Sequence, residues 1–161
     1  MVYLAKNNDD QIQKILNSAK IIAMVGVSSI KKEEDPTIIK RKPSIIVMKY
    51  LQEFGYKVIP VNPSAVGKQI NGETAVAKLD DIKVPVDIVN VFRPSKEVPF
   101  IAKEAIKIAA KTLWLQYGIQ NKEAEEIVNS ESIAYVSNKC IKQEYQRLFQ
   151  KANPVFPVLK N

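Results

Sequence analysis

Short apolar runs recur along the chain, each four to six residues long and bounded by polar or turn-forming residues: Ile21-Ile22-Ala23-Met24-Val25, Tyr56 to Val61, Val86 to Val91, Thr112-Leu113-Trp114-Leu115 and Ile133-Ala134-Tyr135-Val136. Runs of this length with little polar alternation are the mark of strands covered on both faces. Between them the apolar spacing becomes helical, as in Ile46, Met48, Leu51 and Phe54 ahead of Gly55, and in Ile101, Ala105, Ile108 and Ala109 after a cap at Ser95. The pattern predicts a further helix from Asn121 to Asn129, with Glu123, Glu125 and Glu126 near its positive end, and others over Asp9–Ser18 and Ile141–Phe149. Ser64 to Lys83 is less regular and reads as a loop, a short strand around Gln69 and a helical turn near Leu79 to Ile82.

Strand and helix alternate throughout, which implies βαβ units, right-handed crossovers and a parallel sheet. The expected fold is α/β: a Rossmann-like, doubly wound parallel sheet of about five strands with helices on both faces. The 161 residues suit a single domain over residues 1–161, and a chain this long buries roughly 70% of the surface its unfolded form exposes. The tail from Ala152, with Pro154 and Pro157, is expected to pack on the surface or fray.

Composition removes several function classes. Met1 to Asp10 holds no apolar run of signal-peptide length, and no stretch approaches the roughly eighteen apolar residues of a membrane span. Cys140 is the only cysteine, so neither an intrachain disulfide nor a multi-thiolate zinc site can form, and a reducing cytoplasm is the expected compartment. A net charge of +7 favours anionic partners. The lysines are scattered among acids without interleaved aromatics, however, which argues for a phosphorylated small molecule over nucleic acid.

In an open parallel sheet, ligands bind outside the carboxyl ends of the strands, where strand order reverses. The segments just after the runs are Gly26-Val27-Ser28-Ser29, Asn62-Pro63, Phe92-Arg93-Pro94, Gln116-Tyr117-Gly118 and Ser137-Asn138-Lys139-Cys140. Gly26 suits close approach of backbone N–H groups to a phosphate, with the Ser28 and Ser29 hydroxyls as further donors; the plain alternative is an ordinary turn. The connection from Ser28 to Pro43 is unusually long and carries Lys31, Lys32, Lys40, Arg41 and Lys42. The glycine fingerprint for dinucleotides is absent, and Asn62 follows the second run where NAD enzymes carry an acid for the ribose. Trp114 reads as core, Asp87 as a strand-end polar residue and Glu97 as a first-turn helix charge.

Taken together, Ala23-Met24-Val25-Gly26-Val27-Ser28, Gly55 to Pro63, Val86 to Arg93, Trp114 to Ile119 and Lys139-Cys140-Ile141-Lys142 resemble the small CoA-binding domain family. These are single-domain bacterial and archaeal proteins similar to the CoA-binding domain of the succinyl-CoA synthetase alpha subunit. The resemblance covers about residues 15 to 148. It implies a site for coenzyme A in which Gly26, Val27, Ser28 and Ser29 hold the pyrophosphate. Asn62 and Pro63 would border adenine and ribose, and Phe92, Arg93 and Pro94 would line the nucleotide and pantetheine arm. Arg41, Lys42 and Lys68 are basic candidates for the ribose phosphate, and Gln116 and Gly118 are further site candidates.

Three departures stand out. The first loop is longer and more charged than the family pattern, Arg93 is followed by proline where a second arginine is common, and Tyr145 stands where histidine is frequent. With no histidine in the chain, histidine-dependent nucleophilic catalysis and a phosphohistidine relay are both impossible. The expectation is therefore a protein that binds coenzyme A or an acyl-CoA without catalytic residues of its own, with a protein partner or a second copy as further partners. The alternative is an NAD(P)- or CoA-dependent enzyme subunit whose reacting groups come from substrate or partner. Cys140, ahead of a helix on the ligand edge, either meets the pantetheine thiol or is a buried, inert thiol.

Overall fold

Ile22, Met24, Val58, Ile88 and Trp114 turn their side chains to one face of a sheet, and Ala23, Val61, Val89, Val91, Leu113 and Leu115 turn theirs to the other. The computed structural model, which describes residues 8–27 and 43–150, shows why both sets are apolar. The chain runs α1 (Asp9–Ser18), β1 (Ile21–Val25), α2 (Pro43–Glu53), β2 (Lys57–Val61), β3 (Gln69–Ile70), β4 (Glu73–Thr74), β5 (Ile88–Val91), α3 (Val98–Lys107), β6 (Thr112–Leu115), α4 (Lys122–Asn129), β7 (Ala134–Val136) and α5 (Ile141–Phe149). Five strands form one parallel sheet in the order β2-β1-β5-β6-β7; β3 and β4 form a separate antiparallel pair. Helices α1, α2 and α5 cover the first face and α3 and α4 the second. This is the expected Rossmann-like α/β fold. The sequence-based expectations for Ser28, Ser29, Lys31, Lys32, Lys40, Arg41, Lys42 and the tail from Ala152 lie outside the described residues.

Several boundaries shift for physical reasons. The run from Val86 yields a strand only from Ile88; Asp87, just ahead of it, still joins both neighbours through its backbone, its N–H donating to the Ile21 carbonyl at 2.9 Å and its carbonyl accepting from the Thr112 N–H at 3.0 Å, while its Oδ2 accepts from the Lys20 and Ile21 N–H groups at 2.8 and 3.0 Å. Helix α2 buries Ile45, Val47, Met48 and Leu51, while Ile46 and Phe54 are 41% and 39% exposed, so the expected stripe of Ile46, Met48, Leu51 and Phe54 was out of phase at both ends. Ser95 opens a 3-10 turn to Glu97 instead of capping a helix, and α3 begins at Val98 with Pro99 in its first turn, where no N–H is needed. Asn121, expected as the first residue of α4, is its cap, accepting from the Ala124 N–H at 2.8 Å.

β2 is an edge strand that contains Pro60. The Pro60 carbonyl accepts from the Val76 N–H at 3.0 Å on the outer side, so the donor that proline lacks also belongs to that side and costs the β1–β2 ladder nothing. Val76 forms a parallel bridge with Val61 along the same edge.

Burial alone would disfavour the Asp87 carboxylate, but the two N–H donors and Lys111, 3.5 Å from Oδ1, outweigh it and hold the carboxyl below its ordinary value. A carboxyl depressed in the folded state adds stability above its unfolded pKa of about 3.9, and that stability is lost as pH falls through the folded value. Asp87→Asn should therefore be less stable than the parent by about 1–2 kcal/mol at pH 7. The gap should narrow as pH falls below about 4, because only the parent loses this contribution there. Urea unfolding at three pH values reads it, and a gap that stays constant refutes it.

Candidate functional site

Strand order reverses between β1 and β5: the chain steps from β1 outward to β2, then returns to the other side of β1. In an open parallel sheet such a reversal marks where ligands bind, here at the carboxyl ends of β1 and β5. Gly26, directly after β1, has φ +97°, and its N–H donates to the Val61 carbonyl at 3.0 Å. A Cβ placed there would stand 2.8 Å from Arg93 Cδ, 3.2 Å from Arg93 Cγ and 3.0 Å from the Phe92 carbonyl oxygen. Both the backbone angle and the close approach require glycine. The stem of Arg93 thus lies against the turn that follows β1.

Arg93 is fixed at its far end too. Its Nε and Nη2 donate to Glu97 Oε1 and Oε2 at 3.0 and 2.8 Å. The Arg93 hydrogen bonds, working against desolvation, hold the Glu97 carboxyl below its ordinary value. Val27 is buried, and its carbonyl accepts from Asn62 Nδ2 at 2.7 Å; Asn62 Oδ1 accepts from the Ser64 N–H at 2.8 Å. Asn62 is thus a clamp between the turns after β1 and β2. Pro63 opens the short 3-10 turn that follows, exposed, and the exposed Lys68 lies further along, just ahead of β3.

At β6 the picture is more structural. Gln116 is buried, and its Oε1 accepts from the Ile141 N–H at 3.0 Å and from Asn90 Nδ2 at 3.4 Å, joining β5, β6 and the start of α5. Asn90 is fully buried, and its own Oδ1 has no hydrogen-bond partner. Gly118 has φ +87° with open space where a Cβ would stand, and its N–H is taken by Asn138 Oδ1 at 2.7 Å. Trp114, fully buried, donates Nε1–H to the Lys139 carbonyl at 2.8 Å, as core with one anchor. Cys140 is half-buried at the N-terminal end of α5, against the core.

The structure thus brings Gly26, Val27, Asn62, Phe92, Arg93 and Pro94 around the reversal point. It sets Lys68 beyond β2, and Gln116, Gly118 and Cys140 at the β6–β7 end of the same edge. Tyr145 belongs elsewhere: it packs among Tyr50, Phe54, Tyr56 and Phe149 near the amino ends of the strands. Two shallow clefts, of about 240 and 220 Å³, also lie off the carboxyl edge, the first over Asp87 and Lys111 and the second beside Tyr56 and Tyr145. Among the described residues, no group of three or more His, Cys, Asp or Glu is placed to hold a metal ion, and no helix is long and apolar enough to cross a membrane. The Arg93–Glu97 pair and the Asn138 brace were missed in the sequence; the four-residue spacing of the former was the available signal.

The sequence profile of the CoA binding domain matches residues 20–146. The chain belongs to the CoA binding domain family. It is similar to the uncharacterized protein YneT of Bacillus subtilis (strain 168), 37% identical over 132 residues that cover 82% of this chain and 90% of that one. Among solved structures, a Thermus thermophilus protein superposes with a TM-score of 0.78 at 38% identity, covering 89% of this chain and all (100%) of that one. The fold of the CoA binding domain also recurs in an acetyl-coenzyme A synthetase of Ca. Korarchaeum cryptofilum, with a TM-score of 0.58 at 21% identity over 79% of this chain and 28% of that one. That last likeness is one of fold.

Proposed function

We propose that this protein binds coenzyme A, or an acyl-CoA, along the carboxyl edge of its sheet, in the cytoplasm and without catalytic residues of its own. The observation that carries the reading is Gly26: a left-handed glycine at the point of strand-order reversal, with no room for a side chain, in a chain that belongs to the CoA binding domain family. The Gly26 N–H is held by the Val61 carbonyl, so it is the backbone N–H groups following it that such a turn offers to an anion. Gly26 and Val27, with Ser28 and Ser29, receive the pyrophosphate. The clamp made by Asn62, with Pro63 beside it, borders adenine and ribose, while Phe92, Arg93 and Pro94 flank the arm. Arg41, Lys42 or Lys68 answers the ribose phosphate, and the thiol end runs toward Gln116, Gly118 and Cys140.

Calorimetric titration with CoA, dephospho-CoA, NAD, NADP and a short DNA duplex tests this. CoA should bind with micromolar affinity, about 8 kcal/mol, and more tightly than dephospho-CoA. Binding of NADP without CoA overturns the proposal in favour of an oxidoreductase subunit. Binding of DNA alone, weakening steeply with salt, would leave charge as the only recognition element.

A further inference from the structure

Building on the coenzyme A reading, we infer that Glu97 is a positioning residue, which holds Arg93 against the Gly26 turn and leaves one edge of its guanidinium for a ligand phosphate. Two independent contacts fix Arg93. Its stem, at Cγ and Cδ, lies 3.2 and 2.8 Å from the point a Gly26 Cβ would occupy, so its root sits at the strand-order reversal. One turn further on, Glu97 takes Nε at 3.0 Å and Nη2 at 2.8 Å. A guanidinium has two edges able to grip an oxyanion with paired donors, Nε with Nη2 and Nη1 with Nη2. The carboxylate occupies the first, and Nη1 takes no part in the pair.

The ion pair itself adds little stability. The pair is an exposed i,i+4 contact, with side chains 46% and 38% accessible, and such contacts contribute little. Although Glu97 stands at the N-cap of α3, its side chain makes no capping bond. Its contribution is orientation. A lysine at position 93 would keep the charge and lose the fork that Glu97 aligns.

The test is calorimetric CoA affinity for the parent, Glu97→Gln, Arg93→Lys, Arg93→Ala and the Arg93→Ala/Glu97→Gln double variant. Removing an acid beside a phosphate site would by charge alone tighten binding, so a loss is the informative direction. Glu97→Gln should weaken CoA about three- to tenfold. Its Tm should stay within roughly 2 °C of the parent. Arg93→Lys and Arg93→Ala should weaken it at least as much, and Glu97→Gln should add less than about twofold on top of Arg93→Ala. If Glu97→Gln binds CoA as well as the parent or better, or weakens it equally with Arg93 already gone, the inference is overturned and the coenzyme A reading stands. If the parent does not bind CoA, that reading fails, and the same variants are titrated with inorganic pyrophosphate. The same pattern there supports the role of Glu97, and its absence overturns it.

Discussion

Gly26→Ala should abolish measurable CoA binding and destabilise the protein by about 2 kcal/mol, which for a chain of this size lowers Tm by roughly 4–8 °C. Two penalties combine. At φ +97° any side chain strains the backbone, and the new Cβ would meet the Phe92 carbonyl oxygen at 3.0 Å as well as the Arg93 stem. Arg93 can swing aside, but the carbonyl lies just past the end of β5 and cannot move without disturbing the sheet edge, since the Phe92 N–H is bonded to the Val25 carbonyl at 2.8 Å. Gly55 supplies the control: its φ is +95°, yet nothing lies within 4 Å of its Cβ position. Gly55→Ala carries the backbone strain without the crowding and lies after α2, away from the site, so it should lose about 1 kcal/mol and keep its affinity. Thermal unfolding and CoA titration of the two variants separate the contributions. Equal stability losses with unchanged binding would show that nothing special happens at Gly26.

Trp114→Ala should be the most damaging single change, at about 3–5 kcal/mol. The side chain is fully buried against α1, α2 and α5, and truncation leaves a cavity in the middle strands of the sheet. It also deprives the Lys139 carbonyl of the Nε1–H donor that ties β6 to the segment leading into α5. Trp114→Phe keeps most of the apolar area and loses the hydrogen bond, so it should cost about 1–2 kcal/mol. Because this is the only tryptophan, circular dichroism is the readout. A Trp114→Ala variant that unfolds within 1 kcal/mol of the parent would mean that the site collapses without a void.

The strands were the most legible part of the chain. β1 and β6 match their apolar runs to the residue, because a strand buried on both faces leaves little room for ambiguity. The helix α2 was harder for the opposite reason. Ile45, Ile46, Val47 and Met48 are all apolar, so several phases fit and only packing selects the one that leaves Ile46 outside. At the carboxyl edge, topology told which segments meet, and Gly26 was legible as a turn glycine. What each side chain does there was not. Asn62 was expected to face a ligand, yet both ends of its amide are engaged, one of them with Val27, thirty-five residues earlier. Gly118 was expected to offer its backbone, and its N–H is already held by Asn138. Such pairings are set by the approach of distant segments, which leaves no periodic trace. The Arg93–Glu97 contact is local and was readable, but a first-turn acid explained Glu97 well enough to hide it.

Pro60 has a consequence for what the protein can join. An exposed strand edge invites pairing with another chain, whether in assembly or in aggregation. Here one edge combines a residue that cannot donate with the Val76 bridge lying along it, and the other edge strand, β7, is only three residues long. Among the described residues, neither edge of the five-stranded sheet offers a long ladder to extend. A second copy or protein partner that joins the described part of the protein is therefore expected to meet its helices and loops.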